Sequence, residues 1–136
     1  MSATHIDVRT ASAIAPCGAE EHEDCGLRLL LERLGERWTV MTLAELSNGP
    51  KRYREIEKAL VGISQRMMTL TLRRLERDGY VLRHIDPTIP PSVTYELSAL
   101  GRSFSSQVAL LVTWSKEHKA ELELARSTFD KKHRQP

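Results

Sequence analysis

Between Gly62 and Asp78 the chain collects the side chains best suited to contact with a polyanion. Met68, Leu72 and Leu75 fall at intervals of four and three, the spacing of a helix face turned to a core. Ser64 is a good N-cap type for that helix, its hydroxyl able to accept from a free N–H of the first turn. The opposite arc carries Arg66, Leu70, Arg73 and Arg77, flanked by Gln65, Thr69 and Arg74. An ordinary solvated helix mixes charge signs, whereas this arc is arginine with amide and hydroxyl groups. Those are the groups that bond base edges and phosphates. Gln65, Arg66 and Thr69 are therefore the expected base readers, Arg66 pairing with guanine and Gln65 with adenine. Ser64 is expected on a phosphate and Leu70 against a thymine methyl. Arg73 belongs either deep in a groove or on the backbone. For Arg74 and Arg77, solvated charge or a salt bridge to Glu76 or Asp78 weighs as much as DNA contact.

A helix of this kind acts only if other elements hold it against its target. Lys51-Arg52-Tyr53 begins a predicted helix to about Leu60, with Tyr53, Ile56 and Leu60 inward, and Val61-Gly62-Ile63 forms a turn before Ser64. Two helices joined by a short Gly-containing turn make a helix-turn-helix. Lys51, Arg52 and Tyr53 are expected to clamp phosphate through charge and free backbone N–H groups. Tyr53 serves equally well as a core ring with its hydroxyl at the edge.

After Gly79, the runs Tyr80–Ile85 and Ser92–Leu97 are rich in β-branched and aromatic residues, and Asp86–Pro91 between them is turn chemistry. This predicts a β-hairpin wing, with Arg83, His84 and Thr94 as candidates for minor-groove or backbone contact. The fold class is then mainly α with a small β-hairpin wing, a winged helix-turn-helix. An N-terminal helix and a long C-terminal helix complete it.

The N-terminal helix is predicted from an Asp24 cap through Leu27, Leu30, Leu31 and Leu34 to Gly35, and a second helix follows from Arg37 or Trp38 to Asn48-Gly49-Pro50. The last runs from Ser98 to about Arg126, and Phe104, Val108, Leu111, His118 and Leu122 approach a heptad seam widened by Leu110, Val112 and Trp114. That is more apolar surface than a small domain needs on a terminal helix, and a dimer interface is the natural use of it. Residues 1–23 are expected as a disordered tail, 24–127 as the DNA-binding and dimerisation domain, and 128–136 as a frayed charged end.

The formal net charge of +2 over 136 residues hides an asymmetry. Residues 1–48 hold four basic and eight acidic side chains, residues 49–85 nine and four, and residues 86–136 seven and six. Positive charge is concentrated where the arginine-faced helix lies, which points to a polyanionic partner, and with the helix-turn-helix that partner is expected to be double-stranded DNA. A winged helix that binds protein instead is disfavoured by that same segment. No paired catalytic carboxylates, nucleophile–histidine arrangement or Gly-rich phosphate loop is seen, so an enzyme is not expected. No apolar run approaches a membrane span and no leader pattern opens the chain, so the expected location is cytoplasmic.

These motifs, taken in order, resemble the HxlR-type winged-helix transcriptional regulators of bacteria and archaea. The resemblance lies in Cys25, Gly35-Glu36-Arg37-Trp38, Asn48-Gly49-Pro50-Lys51-Arg52-Tyr53, Gly62-Ile63-Ser64-Gln65-Arg66-Met67 and Leu75-Glu76-Arg77-Asp78-Gly79-Tyr80. It continues through Pro90-Pro91-Ser92-Val93-Thr94-Tyr95, Leu97-Ser98-Ala99-Leu100-Gly101 and Trp114, so it spans about residues 24–120. Gly26 stands where the family often has proline, and Leu70 where relatives are often polar.

The resemblance implies a dimeric DNA-binding repressor or activator, joined through the first helix and the long C-terminal helix. Leu27, Leu30, Leu31, Phe104, Val108, Leu111 and Trp114 are the interface expected from it, and a pseudo-palindromic operator follows from a two-fold dimer. Several relatives sense oxidants or electrophiles with a cysteine at the place of Cys25. Here a helix N-terminus favours its thiolate, while Glu20, Glu21, Glu23 and Asp24 oppose it. A thiol switch with Cys25 sensing and Cys17 resolving stands beside a purely structural Cys25. In the latter case a small-molecule ligand controls the protein, as in MarR-type regulators. Cys17, His22 and Cys25 offer three soft ligands in nine residues. Structural zinc needs four at tighter paired spacing, so neither metal nor cofactor is expected.

Overall fold

The computed structural model describes residues 26–134. Cys17, His22, Asp24 and Cys25, and with them the expected thiol pair and N-terminal cap, lie outside the described residues. The chain divides into two compact units, Met1–Gly35 and Glu36–Pro136.

The first unit contributes helix α1, Leu27–Leu34, ended by Gly35 as expected. It starts at Gly26, whose φ of 80° is left-handed. The proline common there in the family cannot adopt that angle, since its ring fixes φ near −65°.

The second unit opens with α2, Arg37–Leu46. Strand β1, Lys51–Arg52, and α3, Tyr53–Ala59, follow. Then come α4, Gln65–Arg77, the wing strands β2, Val81–Asp86, and β3, Ser92–Leu97, and helices α5, Ala99–Glu117, and α6, Lys119–Lys132. The sheet is antiparallel in the order β1-β3-β2. Val81 pairs with Leu97 and Asp86 with Ser92 in the wing, while Lys51 pairs with Tyr95 and Arg52 with Thr94.

The core lies where the helix-turn-helix meets the sheet. Leu43 and Leu46 of α2, Ile56 and Leu60, Met68, Leu72 and Leu75 of α4, Val81, Tyr95 and Leu97 are all buried. Thr39 and Thr42 of α2 are buried as well, which an apolar pattern does not reveal. Each satisfies its hydroxyl locally, Thr39 by donating to Glu36 Oε1 at 3.1 Å and Thr42 to the Trp38 carbonyl at 2.7 Å. A threonine so bonded packs as a β-branched apolar residue.

The start of α5 is fixed to the start of the wing. Phe104 stacks on Tyr80 with centroids 4.7 Å apart, and Ser98 N donates to the Tyr80 carbonyl at 3.0 Å. Gly101 permits this approach, because a Cβ there would lie 1.9 Å from the Tyr80 carbonyl oxygen. Ser105, buried, shares a 2.8 Å hydrogen bond with Ser47, the C-cap of α2.

Three expectations change. Lys51 and Arg52 form a strand rather than a helix start, because β3 offers them an unpaired edge. The single C-terminal helix is broken at His118, with φ −108° and ψ 9°, and α6 then runs to Lys132, so residues 128–132 are helical. Val108 is buried in the protein's own interior and so is not open to a partner, while Phe104, half-buried, spends one ring face on Tyr80.

Candidate nucleic-acid interface

Helix α4 divides along the stripe its sequence gives. Met68, Thr71, Leu72 and Leu75 are buried, while Gln65, Arg66, Thr69, Leu70, Arg73 and Arg77 are exposed. Ser64 caps the helix, its Oγ accepting from Met67 N at 3.0 Å. Its own proton stays available to a phosphate. The preceding turn passes through Gly62 at φ 95°, which favours glycine, with Trp38 beneath it.

Among the described residues, Arg66, Arg73 and Arg77 carry no ion pair. Arg74 does. Its Nη1 meets Glu36 Oε2, at the cap of α2, so it anchors α4 to α2 from the flank. The partner is neither Glu76, which at i+2 points to another side of the helix, nor Asp78, but Glu36, which packing brings from another element.

The wing supplies the other wall. Arg83 shares a sheet face with Val81 and, across the register, with Tyr95. Thr69, Arg73, Glu76, Arg83 and Tyr95 line one open groove between α4 and the wing. Thr94 does not join it. It is half-buried on the opposite sheet face, between Arg52 and His84 in register, because successive residues of a strand alternate faces. His84 is on that other face too, with Nε2 2.8 Å from Glu96 Oε1.

At the start of α3 the expected cluster separates. Lys51 Nζ lies 3.8 Å from Glu45 Oε2. Arg52 N donates to Glu55 Oε1 at 2.9 Å, so this helix start holds a carboxylate and is not an open anion site. The Arg52 side chain is exposed and, with Arg54, lines a groove closed by Thr88 to Val93 of the wing tip. Tyr53 packs its ring against the core and turns its hydroxyl to α4, 3.2 Å from Thr69 Oγ1 and 3.4 Å from the Gln65 carbonyl. It is a core ring with its hydroxyl at the edge, and that edge touches the reading arc. Arg54 and Lys58, one helical turn apart and exposed beside Gln65, extend the positive surface. Their i,i+4 spacing on α3 was the signal that could have found them.

A helix presenting an arginine-rich arc, an antiparallel wing beside it and a second helix bracing it define a winged helix-turn-helix DNA-binding regulator. The chain belongs to the HxlR-like helix-turn-helix family, whose model matches residues 33–123. It is 35% identical over 116 residues to the helix-turn-helix-type transcriptional regulator YdeP of Bacillus subtilis, covering 83% of this chain and 91% of that one. Among solved structures it is similar to ytfH from Salmonella typhimurium, at a TM-score of 0.70 and 32% identity, over 77% of this chain and 94% of that one. It is also similar to the redox regulator HypR in its reduced form, at a TM-score of 0.68 and 33% identity, over 71% of this chain and 96% of that one. No helix among the described residues is long and apolar enough to cross a membrane.

Proposed function

We propose that this transcriptional regulator acts in the cytoplasm as a homodimeric, sequence-specific repressor. Gln65, Arg66 and Thr69 read base edges, with Leu70 against a thymine methyl, while Ser64, Arg52, Arg73 and Arg83 hold the backbone. The observation that carries this reading is the exposed arc of α4, whose arginines at 66 and 73 have no ion pair among the described residues, beside Gln65 and Thr69. Charges left uncompensated on a rigid helix are free to exchange counterions for phosphates and bases.

Dimerisation draws on the exposed Leu111 and Trp114 of α5 and on Leu27, Leu30 and Leu31 of α1. A two-fold dimer binds a pseudo-palindrome, its half-sites spaced by whole helical turns of roughly 34–36 Å. Control enters by oxidation or electrophile modification at Cys25, with Cys17 as the resolving thiol. Support comes from the two cysteines in the sequence and from the likeness to HypR, described as a redox regulator.

Gel-shift titration of operator and scrambled duplexes, under reducing and oxidising conditions, tests the whole. Arg66→Ala is expected to lose about 1–3 kcal/mol of discrimination while keeping weak, salt-sensitive binding. Unchanged selectivity would remove α4's first turns as the reading element. Equal affinity before and after oxidation would remove the thiol control alone.

A further inference from the structure

Two threonines inside helices, Thr42 buried and Thr69 exposed, make different hydrogen bonds. Thr42 follows the usual habit of a helical threonine, its hydroxyl donating to the carbonyl four residues back, Trp38, at 2.7 Å. For Thr69 the equivalent carbonyl is that of Gln65, and there Tyr53 has taken the place. The Tyr53 hydroxyl lies 3.4 Å from the Gln65 carbonyl oxygen and 3.2 Å from Thr69 Oγ1.

The proton count decides the direction of this small chain. A carbonyl oxygen can only accept, and a tyrosine hydroxyl has one proton to give. For both contacts to be hydrogen bonds, Tyr53 must donate to the Gln65 carbonyl, and Thr69 must donate to Tyr53. The Gln65 carbonyl has a second lone pair for the Thr69 amide that α4 geometry brings to it. Thr69 has then spent its only proton inward, and what its oxygen offers outward is lone pairs.

We infer that Tyr53 is a specificity-positioning residue that makes Thr69 an acceptor-only reader. It selects a base with an exocyclic amine in the major groove, adenine N6 or cytosine N4, over the keto oxygens of guanine and thymine. The inference rests on the proposed placement of Thr69 on the reading face. The Tyr53 ring, packed against the core, supplies the rigidity, since it fixes the hydroxyl relative to α4. Without that hydroxyl, Thr69 is released either to turn onto the Gln65 carbonyl as Thr42 does on Trp38, or to donate outward. Both outcomes relax the preference.

The test is selection of the full-length protein on a randomised duplex pool, with the bound fraction sequenced. Wild type is compared with Tyr53→Phe, Thr69→Val and the double variant. One position in each half-site is expected to favour adenine or cytosine on the contacted strand by about fivefold, the scale of one net hydrogen bond. Each single variant should flatten that position and no other, and the double variant should be no flatter than either. Tyr53→Phe keeps the ring, and Thr69→Val keeps the branched shape, so an unchanged urea midpoint separates positioning from folding. A guanine or thymine preference at the position flattened by Thr69→Val overturns the acceptor assignment. A position that Thr69→Val flattens and Tyr53→Phe leaves intact overturns the relay, as does an additive double variant. If Thr69→Val flattens nothing, the reading-face assignment itself falls, and this inference with it.

Discussion

Helices α4 and α5 are both amphipathic, yet only α4 finds its complement within one chain. The apolar stripe of α4 is covered completely by α2, α3 and the sheet, and its polar arc is left to solvent. Among the described residues, helix α5 is covered only over its first half, by Tyr80, Ser47 and the core beneath Val108. Beyond them Leu110 is 67% exposed and Trp114 51%, and α6 continues with Leu124 at 67%. The difference is one of completeness. A reading surface must be exposed and rigid, so its support is built from the same chain. The open face of α5, proposed above as an assembly surface, can stay apolar if a second copy covers it.

Substitutions on either side of this contrast should behave differently. Leu72→Ala, in the covered stripe, is expected to cost about 2–5 kcal/mol of stability in urea unfolding at any protein concentration. A cost below 1 kcal/mol would mean that the α4 core is loosely packed. Trp114→Ala should weaken self-association about 30-fold, near the 2 kcal/mol of an interface hot spot, as read by sedimentation velocity. A dimer that forms with wild-type affinity would place the interface elsewhere. The smallest effect belongs to the flank. Arg74→Ala breaks a partly exposed pair with Glu36, so stability should fall by about 0–1 kcal/mol with DNA selectivity intact. A loss of selectivity would move Arg74 onto the reading arc.

Much of α4 was legible in sequence because its period is written in residue type, with Met68, Leu72 and Leu75 against Arg66, Leu70 and Arg73. The wing was legible for a related reason, since β-branched runs around Asp86–Pro91 leave little else to form. Lys51-Arg52 was not legible as a strand. Two charged residues carry no strand signal of their own, and it is β3 that pairs them. The inward turn of Phe104 and Val108 was hidden for the same reason. A heptad pattern marks a buried face without saying whether the cover comes from the same chain or from another.

The sequence by itself determined the helix-turn-helix and the wing after it, the arginine arc and the turn glycines, because each depends on local periodicity or backbone freedom. Only the tertiary structure decided which arginine is committed, since Glu36 lies far from Arg74 in sequence and close in space. It also decided that Arg83 and Thr94 part to opposite faces of the wing, through the register of β2 on β3. And, of the two roles open to Tyr53, it set the ring against the core with its hydroxyl 3.2 Å from Thr69 Oγ1. Those outcomes need distances between elements, and distance between elements is what a linear pattern does not carry.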